Sequence, residues 1–273
     1  AALVTGGAKR LGRAFIEALA ADGHDVIIHY NSSSDEAEAL ASELSETGVK
    51  AIALGADLSQ PEEAAGLIAR ANEALGPVGV LVNSASVFEQ DQLEDLGADS
   101  FHRHMTANTL SPALLTKALA GQGLERACVV NVLDYKLFNL NADYFSYTLS
   151  KAALKTMTEM LAKSLSPKVR VNAIAPGLTL PSAHHSEAEF ERVHDDTPLK
   201  KGSTPEDLVA ALRFFVNTPS VSGQTLCVDG GQHFDPRLSR DVFEALRMGA
   251  RPEGVPILAL VRAAFGLAEP LGS

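Results

Sequence analysis

Seven short runs rich in Val, Ile, Leu and Ala recur along this chain, most of them followed by a stretch of helical period. The runs cover residues 1–5, 25–30, 51–57, 78–84, 127–134, 169–175 and 225–229. They are nearly continuous in apolar residues rather than alternating with polar ones, as strands are when both faces are covered. Segments 10–22, 34–47, 61–75, 100–120, 144–165 and 205–217 carry helical spacing. This order predicts an α/β, Rossmann-like, doubly wound fold: a seven-stranded parallel sheet with helices on both faces. Ser59-Gln60-Pro61-Glu62 and Ser203-Thr204-Pro205-Glu206 each read as a hydroxyl-capped helix start with Pro in the first turn.

The first apolar run leads directly into Thr5-Gly6-Gly7-Ala8-Lys9-Arg10-Leu11-Gly12, and a helix follows. Glycines at such a turn let backbone approach a pyrophosphate, which the helix N-terminus then stabilises. A plain Gly-rich turn would read the same. Its place between the first strand and the first helix of a parallel sheet favours a dinucleotide.

These residues resemble the fingerprint Thr-Gly-x-x-x-Gly-x-Gly of the short-chain dehydrogenase/reductase family, with Arg10 standing at the middle glycine. The variant Thr-Gly-x-x-Lys-Arg-Leu-Gly is similar to the pteridine reductase branch, in which that arginine reaches the cofactor phosphates and the pterin. Asn83-Ser84-Ala85-Ser86-Val87-Phe88 resembles the family's Asn-Asn-Ala-Gly, with the branch's Ser in place of Gly and its Phe two residues later. The resemblance covers about residues 1–235. It implies a cofactor held by Gly6, Arg10, Leu11 and Gly12 in the turn and by Asn83, Ser84, Ala85 and Ser86 after the fourth strand.

NAD-specific relatives commonly end the second strand with a carboxylate for the ribose hydroxyls. Here His29-Tyr30-Asn31-Ser32-Ser33-Ser34 precedes the first acid, Asp35. A 2′-phosphate at His29, Tyr30, Asn31, Ser32 and Ser33 would meet hydroxyls, amides and the nearby Lys9 and Arg10, so NADP(H) is the expected cofactor. Ser32–Ser34 would also serve as an ordinary helix cap. Asp57 and Leu58 resemble the family's adenine contacts, and Pro176, Gly177, Leu178 and Thr179 its nicotinamide-amide contacts. Val228-Asp229-Gly230-Gly231 resembles its closing motif and is read as structural.

Tyr147-Thr148-Leu149-Ser150-Lys151 lies on a predicted helix, which puts Tyr147 and Lys151 on one face. A free phenol has a pKa of about 10, and an ammonium one turn away stabilises its anion. On a helix surface this spacing arises by chance. Joined to the glycine turn, the resemblance implies Tyr147 as proton donor and Lys151 as its activator and a nicotinamide-ribose contact. Asp134 stands where most of the family has Ser, as in the pteridine branch. A carboxyl group there suits a substrate presenting ring nitrogens, and a strand-end Asp would also cap a turn. Asn108 matches the family's helix asparagine that holds a proton-relay water. Phe88 is a candidate wall stacking a planar ring on the nicotinamide, or simply core. Arg10, Ser86, Phe88, Asp134 and Tyr147 are the expected substrate contacts.

Residues 1–237 thus read as a single Rossmann-type dinucleotide-binding and catalytic domain. Within it, residues 178–204 are too long for a plain connection and are expected to form a substrate loop, with His185 a candidate contact. Residues 238–273 read as a C-terminal helical extension, whose Ile257, Leu260, Val261, Ala264 and Phe265 make an apolar stripe in need of a partner. The formal net charge of −11 argues against nucleic acid. Cys128 and Cys227 lie far apart, so neither a disulfide scaffold nor a zinc site is expected, and the cytoplasm is the default compartment. No stretch is apolar enough to span a bilayer, and the opening residues lack the charged region of a signal peptide. His102/His104 and His184/His185 have the wrong spacing for metal ligands and read as surface or loop residues.

The leading expectation is an NADPH-dependent reductase transferring hydride to a C=N bond of a pterin or folate. The alternatives are a carbonyl (ketone or 3-oxoacyl) reductase of the same family and a non-catalytic NADP(H)-sensing regulator. The resemblance also implies a homotetramer built through the long helices.

Overall fold

The computed structural model describes residues 1–181 and 187–234. The seven expected strands form one parallel sheet in the order β3-β2-β1-β4-β5-β6-β7. They are β1 (Ala2–Val4), β2 (Val26–Tyr30), β3 (Ala51–Gly55), β4 (Val80–Asn83), β5 (Ala127–Val132), β6 (Val169–Pro176) and β7 (Thr225–Val228). Most are somewhat shorter than their apolar runs, which at β1, β3, β4, β5 and β7 continue past the carboxyl end of the strand into the turn. β1 pairs on one side with β2, Leu3 opposite Ile27, and on the other with β4, Leu3 opposite Leu81. The chain winds outward in one direction from β1 and in the other from β4. Their carboxyl ends therefore diverge and open a crevice, where ligands of such sheets bind.

Both faces are packed. Val4, Ile28, Val82 and Val130 point to one side, against Phe15 and Ile16 of α1 (Arg10–Ala21) and Leu212 and Phe215 of α8 (Pro205–Asn217). Leu3, Ile27, Leu81 and Val129 point to the other, against Leu67 and Ile68 of α3 (Pro61–Leu75) and Leu115 and Leu119 of α5 (Ser111–Ala120). Each such fully buried side chain contributes about 1.5–3 kcal/mol relative to exposure. That is why the strands need apolar residues at every position. Helix α8 opens on the expected cap: Thr204 Oγ1 accepts from the Asp207 amide, and the Asp207 carboxylate accepts from the Thr204 amide. Helix α3 does not use Ser59; its N-cap is Gln60, and Asp57 instead accepts from the Ser59 amide.

The single helix expected over 100–120 is interrupted. It is built as α4 (Ala98–Met105), a π-helical segment Thr106–Leu110, and α5. Pro112 has no amide hydrogen to offer the Asn108 carbonyl four residues back, so the regular ladder cannot pass this point, and the wider turn absorbs the misfit. The remaining helices are α2 (Ser34–Ser45), α6 (Phe145–Ser164) and α7 (Glu187–Asp196), the last falling inside the expected substrate loop. His184, His185 and the apolar stripe from Ile257 to Phe265 lie outside the described residues. Among the described residues no helix is long and apolar enough to cross a membrane.

Candidate active site

The glycine turn is wired to the segment after β4. Thr5 Oγ1 accepts from the amides of Ser84 (2.9 Å) and Ala85 (3.0 Å). Gly6 has φ +65°, and a Cβ there would press on Ala85 Cα at 3.1 Å; a Cβ on Gly12 would run into the Gly6 carbonyl. Arg10 also has a left-handed φ, 53°, at the position where the family fingerprint has glycine. For a residue with a side chain this conformation costs about 1–2 kcal/mol. The strain aims the guanidinium across the crevice, where Nη1 donates to the Pro181 carbonyl at 2.9 Å. Lys9 pairs with Glu36 at 2.7 Å, both about half exposed. Helix α1 begins without a side-chain cap, leaving its first amides to whatever occupies the crevice. Crowded glycines and an uncapped, anion-ready helix start fit a dinucleotide.

His29 supports this turn from behind rather than facing the crevice. Its Nδ1 accepts from the Gly6 amide at 3.0 Å and its Nε2 bonds the Ala56 carbonyl at 3.0 Å, so a single neutral tautomer serves both. Burial holds its pKa down at about 4, well below the usual 6.5 of a histidine. Between those values the unfolded chain binds a proton that the native state refuses. Stability should therefore fall as the pH drops through this window, by about 3 kcal/mol at its foot. Urea unfolding of wild type and His29→Gln across pH 7 to 4 measures it: the part of the acid slope due to His29 must vanish in the variant.

Farther along β2, the Tyr30 ring lies over Gly55, where a Cβ would come within 3.0 Å of the ring. Asn31 and Ser32 are exposed, and Ser33, the N-cap of α2, makes no capping bond. Asp35 and Glu36 follow in the first turn. Leu58 is buried, and its carbonyl accepts from Ser111 Oγ. Asn83 is buried in the sheet, its amide spent on Asn131 at 2.8 Å, which in turn reaches Thr158 of α6.

The polar centre forms where β5 meets α6. Tyr147 Oη donates to Asp134 Oδ2 at 2.9 Å, and both residues are buried. The other carboxylate oxygen, Oδ1, accepts from the Lys136 amide, so Asp134 caps the turn Tyr135–Phe138 as well as facing the phenol. Lys151 is buried one turn beyond Tyr147, its Nζ donating to the Val132 carbonyl at 2.7 Å. Burial lowers its pKa from 10.5 to about 8, and the Asp134 charge opposes that fall. A buried ion pair between Lys136 and Asp143 joins the turn after β5 to the start of α6. Tyr144, in left-handed backbone at φ 52°, begins the helix.

An aromatic group closes one side. Phe88, 44% exposed, meets Tyr147 edge-on at 4.7 Å and stacks on Tyr144 at 4.4 Å with 8° between ring planes. It is not core. Asn108 is wholly buried, its amide committed to protein partners: Oδ1 accepts from Val87 N and Ser86 Oγ, and Nδ2 donates to Val87 O and Ser150 Oγ. His104, expected at the surface, is also fully buried, one turn before Asn108 on the same face. Neither its burial nor its partners had a sequence signal.

After β6, Leu178 N donates to Gln232 Oε1, Leu178 O accepts from His194, and Thr179 Oγ1 bonds Gly177 O and Ser203 Oγ. Pro176 ends the strand, and Gly177 lies where a Cβ would strike Gln232. Asp229 accepts from the amides of Gly231 and His233, consistent with a structural closing motif.

Comparison with known proteins agrees with this fold. The family described as enoyl-(acyl carrier protein) reductase matches residues 6–233. The solved structure of FolM alternative dihydrofolate reductase 1 from Brucella suis in complex with NADP superposes with a TM-score of 0.80 at 39% identity, covering 86% of this chain and 95% of that one. An uncharacterized oxidoreductase of Methylorubrum extorquens is 32% identical over 239 residues, 84% of this chain and 96% of its own. The 3-oxoacyl-[acyl-carrier-protein] reductase of Synechocystis sp. is 30% identical over 236 residues, 84% and 95% respectively.

Proposed function

The chain belongs to the short-chain dehydrogenase/reductase family, and from that premise we propose that it is an NADPH-dependent reductase of a C=N bond in a pterin or folate. One observation carries the substrate: a buried carboxylate, Asp134, lies 2.9 Å from the Tyr147 hydroxyl, where most of the family has a serine. Serine polarises a carbonyl oxygen. A carboxylate instead accepts N–H groups, and pterins present them on a planar ring. Phe88 offers that ring a face, and Arg10 reaches over the crevice toward Pro181. The NADP complex of the Brucella suis structure supports the choice of nucleotide.

When bound, NADPH supplies the hydride. The chain's own residues do the rest. Gly6, Leu11, Gly12 and the first amides of α1 would hold the phosphates, and Lys9, paired with Glu36 on the surface, would be the nearby cation for a 2′-phosphate. Tyr147 gives its proton to the ring nitrogen as negative charge develops there. Asp134 orients the phenol and accepts from the substrate, and Lys151 stabilises the phenolate left behind. Asn108 acts through the loop that it holds. Assembly through the long helices belongs to the same proposal, supported by exposed Leu149 and Met160 on α6.

A second reading, a ketone or 3-oxoacyl reductase, is favoured by the Synechocystis relative. NADPH oxidation with dihydropterins, dihydrofolate and ketones separates the two. Asp134→Ser should lower kcat/KM for the pterin about a hundredfold, the range for losing one charged hydrogen-bonding partner of the reaction, without impairing ketone turnover. Good ketone turnover by wild type with none on any pterin sinks the leading proposal.

A further inference from the structure

The segment that carries Phe88 is tied down at Val87, Glu89 and Asp91. Val87 is held through both its amide and its carbonyl by Asn108. The Glu89 amide donates to His104 Nε2 at 3.3 Å. The Asp91 carboxylate, buried, accepts from the Ser146 amide at 3.0 Å, and the Asp91 carbonyl accepts from Phe145 N. Asp91 thereby caps the helix that bears Tyr147, which has no side-chain cap of its own. Phe88 is the residue between the first two ties, and its ring meets Tyr147 and Tyr144.

His104 is the tie that no reading of the reaction explains. Its Nδ1–H serves Ser100 O at 2.8 Å, which leaves Nε2 as an acceptor aimed at the strap. Surface pairing of Arg103 with Glu89 at 2.7 Å adds little in water. The geometry points to His104 as a positioning residue for the substrate slot: by holding the Glu89 amide it sets Phe88 at its distance from Tyr147. This deepens the proposed function and rests on Phe88 lining the slot.

Gln and Asn at this position separate positioning from mere structure. Gln carries an acceptor as far out as Nε2; the shorter Asn does not reach. With NADPH and a dihydropterin, His104→Gln should keep KM within about twofold, whereas His104→Asn and His104→Phe raise it about tenfold with kcat changed less than about twofold, the signature of lost substrate positioning. The Kd for NADPH should stay level in all three. Equal KM in the Gln and Asn variants, or a matching loss of NADPH affinity, overturns the assignment. If wild type reduces no dihydropterin, the substrate reading falls by itself. Amide exchange at Phe88 and Glu89 then decides the strap: faster in Asn and Phe but not in Gln supports it, and uniform exchange overturns it.

Discussion

Tyr147→Phe is expected to lower kcat by about three orders of magnitude, within the range for removing a general acid, while NADPH binding stays within about twofold of wild type. The change deletes one oxygen. The ring keeps its edge contact with Phe88 and its place on α6, so the slot retains its shape. What is lost is the donor 2.9 Å from Asp134, and with it the only hydroxyl of that phenol that could protonate a reduced ring nitrogen. Steady-state turnover with a dihydropterin and fluorescence titration of NADPH measure the two halves. A kcat within tenfold of wild type would sink the proton-donor role and favour the NADP(H)-sensing regulator.

The parts legible in the sequence share one property: local spacing determines them. The parallel sheet follows from apolar runs without alternation, and Tyr147 with Lys151 from a helical step of four. Asp134 follows from its place at the end of β5. Arg10 is legible as a departure from a glycine, though its left-handed φ is not. The rest depends on chain far away. His29 looks like the end of a strand facing a nucleotide, yet its ring turns back to Gly6, 23 residues earlier. His104 looks like a surface helix residue because the strap that buries it comes from a loop 15 residues before it. Asp91 caps a helix that starts more than fifty residues later, beyond the reach of any capping signature. Pro112 did lie in view. Reading it inside a helical pattern as a break would have located the π-helical turn at Asn108.

Lys151→Met should abolish most turnover and yet make the protein more stable. The ammonium is buried beside Tyr147, and the fall of its pKa from 10.5 to about 8 corresponds to roughly 3 kcal/mol spent on keeping the charge in the native state at neutral pH. Methionine matches the stem, buries no charge, and leaves the Val132 carbonyl without its donor, a loss of about 1 kcal/mol. Net stabilisation of about 2 kcal/mol follows at pH 7. The pH dependence identifies its origin. Between pH 8 and 10.5 the unfolded lysine still binds its proton after the native one has released it, so wild-type stability gains from this group as pH rises. The variant lacks that gain, and the two unfolding curves should converge toward the alkaline end. Turnover should drop by about a hundredfold or more, since the phenolate of Tyr147 loses the cation that stabilises it. Urea unfolding of nucleotide-free protein at pH 7 and pH 10 provides the measurement. A variant less stable than wild type at pH 7 would show that the ammonium holds the fold together, whereas greater stability with lost turnover places Lys151 among residues that the fold tolerates because the reaction needs them.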